Sequence, residues 1–330
     1  MSEFHYGLNQ RVGRAPILRK LGMYGVGMEQ TPIVLNGEIV LVESFSVTPG
    51  PCGTPGIRLR NLKTGWTSES FGHGYYFASG YQENGVVYAF GTSALDDKPM
   101  TMYASEDSAH WHDPRGGDEV RMFWSDDLKT WQSKTAIKVP GWRLWNTSVC
   151  KGPDGYVMAI EVRQLGDEFD PVIGRPFTEF FARSKNLFDW EMMPVECCYT
   201  RDRYNACPAL RYAGGWYYMI CLEELPVVRY APYIYRTRNF IDWEVGFHNP
   251  MMMFGDDDRM VNKETYYKFS EEELDKLENR ININNSDLDL CEHNGRTHVF
   301  YATGDQMTYG FLGEAVYDGP LDQFLKAYFE

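Results

Sequence analysis

Five times along the chain, two runs rich in apolar and aromatic residues flank a two-residue turn. The runs are 29–34 and 38–43 around Asn36-Gly37, 77–81 and 86–90 around Asn84-Gly85, and 145–150 and 156–162 around Asp154-Gly155. The last two pairs are 204–211 and 216–222 around Gly214-Gly215, and 285–291 and 296–301 around Asn294-Gly295. Gly, Asn and Asp reach the positive φ that tight hairpin turns require, so each pair predicts a β-hairpin. A second motif follows four of the five hairpins. Ser125-Asp126-Asp127-Leu128-Lys129-Thr130-Trp131 recurs as Ser184-Lys185-Asn186-Leu187-Phe188-Asp189-Trp190 and as Thr237-Arg238-Asn239-Phe240-Ile241-Asp242-Trp243. A looser copy is Asn61-Leu62-Lys63-Thr64-Gly65-Trp66. The hydroxyl and Asn/Asp positions supply the hydrogen bonds of a polar turn, and the Trp anchors the next strand.

A supersecondary unit repeated in this way cannot bury its faces alone and must stack on its neighbours. The pattern predicts an all-β fold, a five-bladed β-propeller of four-stranded blades occupying residues 1–330 as one domain. The clearest helix signal is at Ser270, where Ser270 and Glu273 form a capping box. It predicts a short helical insertion, together with 255–268, between blades four and five. Residues 304–330 are expected to close the last blade.

Composition narrows the partners. The formal net charge is −14, which repels a polyanion and argues against nucleic acid. Arg58, Arg60 and Lys63 form a small basic cluster, read as a solvated strand face. No apolar run is long enough to cross a bilayer, so no membrane partner is expected. Residues 1–19 lack the apolar segment of a signal peptide, which predicts a cytoplasmic protein. The seven cysteines include no C-x-x-C pair, and reduced thiols without zinc are expected. Aromatic residues make up 15% of the chain, a content suited both to sheets and to flat ligands such as sugars.

In a propeller the innermost strand of each blade lines a central channel, and the end of the second strand returns to the face where the first begins. The first-strand starts hold Glu29, Gln30, Trp145, Asn146, Tyr204, Asn205, Asn285 and Asp287. The second-strand ends hold Glu43, Glu161, Arg163, Glu223 and Asp305. His73 precedes the second hairpin and is placed near the same face. Carboxylates, amides and aromatics converging there fit sugar recognition and glycoside hydrolysis. Arg163 offers a partner for a charged sugar. No cofactor is expected, although the oxygens of Asn285 and Asp287 would suit calcium.

The five hairpins and the Ser-x-Asn/Asp-Leu-x-x-Trp turns resemble the five-bladed propeller glycosidases, among them the family 43 arabinanases and xylosidases, the family 32 fructosidases and the family 117 anhydro-sugar hydrolases. The resemblance implies an oligosaccharide substrate and carboxylate acid/base chemistry. Family 43 places an Asp before a Pro in blade one, an Asp in blade three and a Glu before a Pro in blade four. The positions read here as matching are Thr31, Asn146 and Ala206, none of them acidic. Two readings follow. Either the acids have moved to Glu29, Glu161 and Glu223, giving an exo-acting glycosidase on a small oligosaccharide, or the chain is a carbohydrate-binding propeller without catalysis. The first is preferred. A glycoside phosphorylase would need a basic phosphate pocket, and the sequence displays no Arg/His cluster for one.

Overall fold

A computed structural model describes residues 15–46, 54–95, 115–163, 177–226, 229–279, 282, 284–304 and 310–330. The first hairpin unit contains β2 (Gln30–Leu35), β3 (Glu38–Ser46) and β4 (Pro55–Arg60). Two isolated bridges, Ile57 to Phe71 and Arg60 to Thr67, stand where a fourth strand would be. The second contains β5 (Tyr75–Glu83), β6 (Val86–Ser93), β7 (Glu119–Ser125) and β8 (Gln132–Lys138). The third contains β9 (Arg143–Gly152), β10 (Gly155–Arg163), β11 (Thr178–Ser184) and β12 (Trp190–Met192). The fourth contains β13 (Ala206–Ala213), β14 (Trp216–Leu225), β15 (Arg229–Thr237) and β16 (Trp243–Val245). The fifth contains β17 (Asn284–His293), β18 (Arg296–Gly304) and β19 (Phe311–Tyr317), with β1 (Arg19–Val26) pairing antiparallel to β19 as its outermost strand.

The five inner strands pack against one another in the cyclic order β2, β5, β9, β13, β17 and back to β2. The buried apolar residues divide in the same way, into clusters that each fill one gap between neighbouring hairpin units. Ile33, Val42, Ala78 and Val87 fill the gap between the first and second units, and Tyr24, Leu41, Phe300 and Leu312 fill that between the fifth and first. This is a β-propeller, with its channel bordered by first strands.

The Trp turns form as the sequence predicts. Leu128, Leu187 and Phe240 sit at φ 60°, 70° and 63°. In each turn the preceding Ser or Thr hydroxyl and Asn or Asp side chain accept the backbone N–H groups; Ser125 Oγ, for example, accepts from Leu128 N at 2.9 Å. The capping box also forms, and Glu273 Oε2 accepts from Ser270 N at 2.7 Å at the start of helix α1 (Glu271–Asn279).

Closure of the last blade differs from expectation. Residues 304–330 contribute β19 and a second helix, α2 (Leu321–Ala327), while the outermost strand comes from the N-terminal segment. Lys20 on β1 ties this closure to the insertion. Its Nζ donates to Asp258 Oδ2 at 2.9 Å and to Met253 O at 2.7 Å. The fully buried Asp258 also accepts from Asn285 Nδ2 at 3.1 Å and Tyr301 Oη at 2.9 Å. No helix among the described residues is long and apolar enough to cross a membrane.

Candidate functional site

The inner strands do not enter the sheet smoothly. Glu29, Phe77, Cys207 and Asp287 occupy the same place in four of the five units and have φ values of 60°, 53°, 53° and 50°. At Phe77, Cys207 and Asp287 the register with the second strand slips. In the third unit the slip falls opposite Trp145 and Asn146. A bulge with a left-handed residue turns that side chain out of the pleat, and here the turned side chains belong to the residues bordering one end of the channel. Non-glycine residues at positive φ cost free energy, which makes the repetition an informative feature.

Glu29, Asn146, Cys207 and Asp287 line a narrow cavity of about 30 Å³, together with Gln30, Phe77 and Ser79. The ligating atoms of Glu29, Cys207 and Asp287 all lie within 4.8 Å of one another. Cys207 Sγ donates to Asp287 Oδ1 at 2.8 Å, and Ser286 Oγ donates to Asp287 Oδ2 at 2.5 Å. Glu161 is buried beside this group. Its Oε2 accepts from Asn146 Nδ2 at 3.0 Å and from the Cys207 backbone N–H at 2.7 Å. Asn146 Nδ2 also donates to Cys207 Sγ at 3.4 Å, so a single amide spans the Glu161 carboxyl group and the thiol.

Three acids in a confined, poorly hydrated space cannot all ionise at their usual values. Burial raises the pKa of Glu29 to about 8, with the charge of Asp287 adding to it, Arg115 opposing it and Glu161 adding again. Burial raises Glu161 to about 7 against the pull of the Cys207 N–H and Asn146. Burial likewise holds the Cys207 thiol well above its ordinary range, with Asp287, Glu161 and Glu29 adding to it. The cluster therefore holds acidic protons near neutral pH, and Cys207 is a thiol donor here.

The remaining expected site residues divide into two groups. Gln30 lines the cavity and donates from Nε2 to Met28 O at 2.7 Å. Trp145 stacks on Phe77 with ring centroids 4.7 Å apart, and Arg163 lies over Trp145 at 5.2 Å. Tyr204 packs on Phe177, with ring centroids 5.2 Å apart, and burial holds its hydroxyl well above the ordinary range. The buried Asn205 donates its backbone N–H to Phe177 O at 2.9 Å, and neither polar atom of its side chain has a hydrogen-bond partner among the described residues.

Other expected residues serve the framework. Glu43 is buried between Arg58 and Arg60, each 2.6 Å away, so the basic cluster read as a solvated face is partly an internal ion pair. Glu223 accepts from Tyr235 Oη and pairs with Arg203 at 3.3 Å, and it does not line the cavity. Glu29, Glu161 and Glu223 thus do not surround one pocket; Asp287 takes the third place. Asn285 is occupied by Asp258 and Lys20. His73 is exposed and bonded to Ser70 Oγ at 3.0 Å. Asp305 lies outside the described residues. The Asn285 amide oxygen, one of the two that would suit calcium, accepts from Lys20 Nζ at 3.3 Å. Two carboxyl groups and a thiol at the cavity do not make the all-oxygen donor set that calcium prefers.

Sequence reasoning misses Cys207 by one position, since it sets Ala206 at the family's fourth-blade acid. Proline was the available signal: Cys207 directly precedes Pro208, and Ala206 does not. It also missed Glu179, which stands across β10–β11 from Glu161, is buried, and has no hydrogen-bond partner for either oxygen among the described residues. Burial drives its carboxyl well above the usual range.

No family model and no curated protein matches the chain. Solved structures do. A GH43 protein, BlXynB from Bacillus licheniformis, superposes with a TM-score of 0.53 at 15% identity, over 89% of this chain and 52% of its own, so the present chain spans about half of that protein. An endo-arabinase from Bacteroides thetaiotaomicron gives 0.53 at 12% identity, over 94% of this chain and 100% of its own. A glycosyl hydrolase from Bacteroides ovatus gives 0.54 at 13% identity, over 92% and 90%. At these identities the likeness is one of fold: the chain has the β-propeller architecture of these glycoside hydrolases.

Proposed function

We propose that the chain is a glycoside hydrolase that removes a terminal residue from a small oligosaccharide, with Glu29 as the proton donor and Asp287 as the paired carboxylate. The observation that carries this reading is the Glu29–Asp287 pair, with oxygens within 4.8 Å of each other at a narrow cavity on the channel. Glycoside hydrolysis needs one protonated and one ionised carboxyl group beside the scissile bond. Glu29, raised to about 8, holds its proton at neutral pH. Asp287, which accepts from Cys207 and Ser286, has the partner set of a carboxylate.

The close spacing favours the double-displacement route. Asp287 bonds to the anomeric carbon as the glycosidic C–O bond breaks and Glu29 protonates the departing oxygen. Water then attacks the same carbon, Glu29 takes back a proton, and Asp287 leaves. Glu161 stands behind the pair, holding Asn146 and the Cys207 backbone in place. A cavity of about 30 Å³ has room for a water and not for a sugar ring, so the scissile bond would lie across its mouth.

The reading is tested with a panel of furanose, anhydro-sugar and uronic-acid oligosaccharides, scored for both binding and sugar release. Release of a monosaccharide from at least one member is the expected result. Binding without release across the panel would favour a non-catalytic carbohydrate-binding propeller.

A further inference from the structure

The acid/base reading leaves one member of the cavity without a task, the Cys207 thiol. Glu29, Cys207 and Asp287 come from three different hairpin units, and the same left-handed entry to the inner strand carries each of them to the channel. Their donor atoms, two carboxyl oxygens and a sulfur, all lie within 4.8 Å of one another. Bonds of about 2.0–2.3 Å to a tetrahedral ion set its ligand atoms about 3.5 Å apart, so small side-chain rotations bring the three onto one ion. The cavity they share, about 30 Å³, has room for one water and so for a single ion.

The donors are also held from behind. The Cys207 backbone N–H donates to Glu161 Oε2 at 2.7 Å, and Asn146 Nδ2 donates to the sulfur at 3.4 Å. Ser286 Oγ donates to Asp287 Oδ2 at 2.5 Å, which leaves Oδ1 facing the sulfur at 2.8 Å. Hydrogen bonds of this kind orient the ligands of a metal site. The thiol proton stands between Sγ and Oδ1, where a metal ion would bond to both. A sulfur beside two carboxyl groups selects a borderline-soft cation over calcium and magnesium, which prefer oxygen alone. No C-x-x-C pair announces such a site, because its ligands come from separate blades. The formal charge of −14 favours the approach of a cation.

We propose that Glu29, Cys207 and Asp287 bind a divalent cation of the zinc class at the cavity, with a fourth position left to water. Cys207 and Glu29 bind it as thiolate and carboxylate, and their protons pass to solvent. The ion occupies the acid/base pair, so it is an inhibitor: neither carboxyl group is then free to give a proton or to bond to the anomeric carbon. The inhibition rests on the hydrolase reading of this site, and the binding does not.

The test adds zinc, cobalt(II), calcium or magnesium to the intact, reduced chain after chelator treatment. Calorimetry is expected to show a single zinc ion bound per chain, at least about tenfold more tightly than calcium or magnesium. Cobalt should give the near-ultraviolet thiolate-to-metal band, which reports sulfur ligation directly. Cys207→Ser should abolish the band and weaken zinc by about tenfold or more, whereas Cys198→Ser, at another partly exposed thiol, should keep both. On the unaltered protein, zinc should protect Cys207 from slow alkylation, read by peptide mass, so the answer does not depend on any variant folding. Absence of zinc binding, equal binding of calcium, a band that survives Cys207→Ser, or alkylation that zinc does not slow overturns the inference. On any glycoside the chain cleaves, saturating zinc should stop sugar release and a chelator should restore it; release that continues overturns the inhibition. Zinc bound at Cys207 in a chain that cleaves no glycoside supports the site and counts against hydrolysis. Hydrolysis without zinc binding overturns the inference and leaves the hydrolase reading standing.

Discussion

Glu29→Gln is expected to lower the rate of glycoside hydrolysis by about 10²–10⁴-fold, the usual cost of removing a general acid. Gln keeps the shape of the side chain, but it has no acidic proton to give. The protein should fold as before, because Glu29 lines the cavity and forms no part of the interblade cores. Comparison of kcat and KM locates the defect: loss of the proton donor should appear mainly in kcat. A variant that retained full activity on a substrate of the unaltered protein would remove Glu29 from the mechanism and leave Glu161 as the next donor.

Stability should fall as pH rises from about 4.5 to about 8, opposite to the behaviour of a protein governed by surface ion pairs. Glu161 titrates near 7 in the folded chain, against 4.5 for an ordinary glutamate. Between those values the folded state holds a proton that the unfolded state has released. The unfolded state therefore binds fewer protons, and the unfolding free energy declines with pH. The contribution is fully present below the unfolded value and is lost by the time pH passes the folded one. For Glu161 this amounts to about 3 kcal/mol. Glu29 extends the decline to about pH 8. Asp127, whose pKa is lowered by the N–H groups of Thr130 and Lys129, acts in more acid solution and does not mask the effect. Thermal melting across this range checks the expectation. The midpoint should drop by several degrees, and Glu161→Gln should flatten the curve. A flat or rising curve for the unaltered protein would mean that these carboxyl groups are not held protonated by the fold.

The architecture was legible because its signals are local. A hairpin is announced by Asn-Gly or Asp-Gly between two runs, and a Trp turn by a hydroxyl, an amide or acid and an indole at fixed spacing. Both fell within a few residues of the strands they predict. Closure of the last blade was not legible. The pairing of β1 with β19 joins opposite ends of the chain, and nothing in Arg19–Val26 names its partner. The site was legible only in part. That Glu29, Asn146, Glu161 and Asp287 lie at one end of the channel follows from their places in the repeat. Which acids face the cavity does not, because that depends on bulges and on pairings made across the fold. Glu43 looks equivalent to Glu161, but Arg58 and Arg60 enclose it. Glu223 has the same strand-end place, but Tyr235 and Arg203 draw it aside.

In the proposed mechanism Glu29 and Asp287 act as a close pair on a glycosidic bond. Its most direct test is proton NMR of the sugar released in the first minutes of turnover, before mutarotation scrambles the anomers. Carboxyl groups this near each other leave no room for a water between them and the anomeric carbon, so the first-formed sugar is expected to keep the anomeric configuration of the substrate. Release of the opposite anomer would contradict the pairing and point to an acid and a base set farther apart.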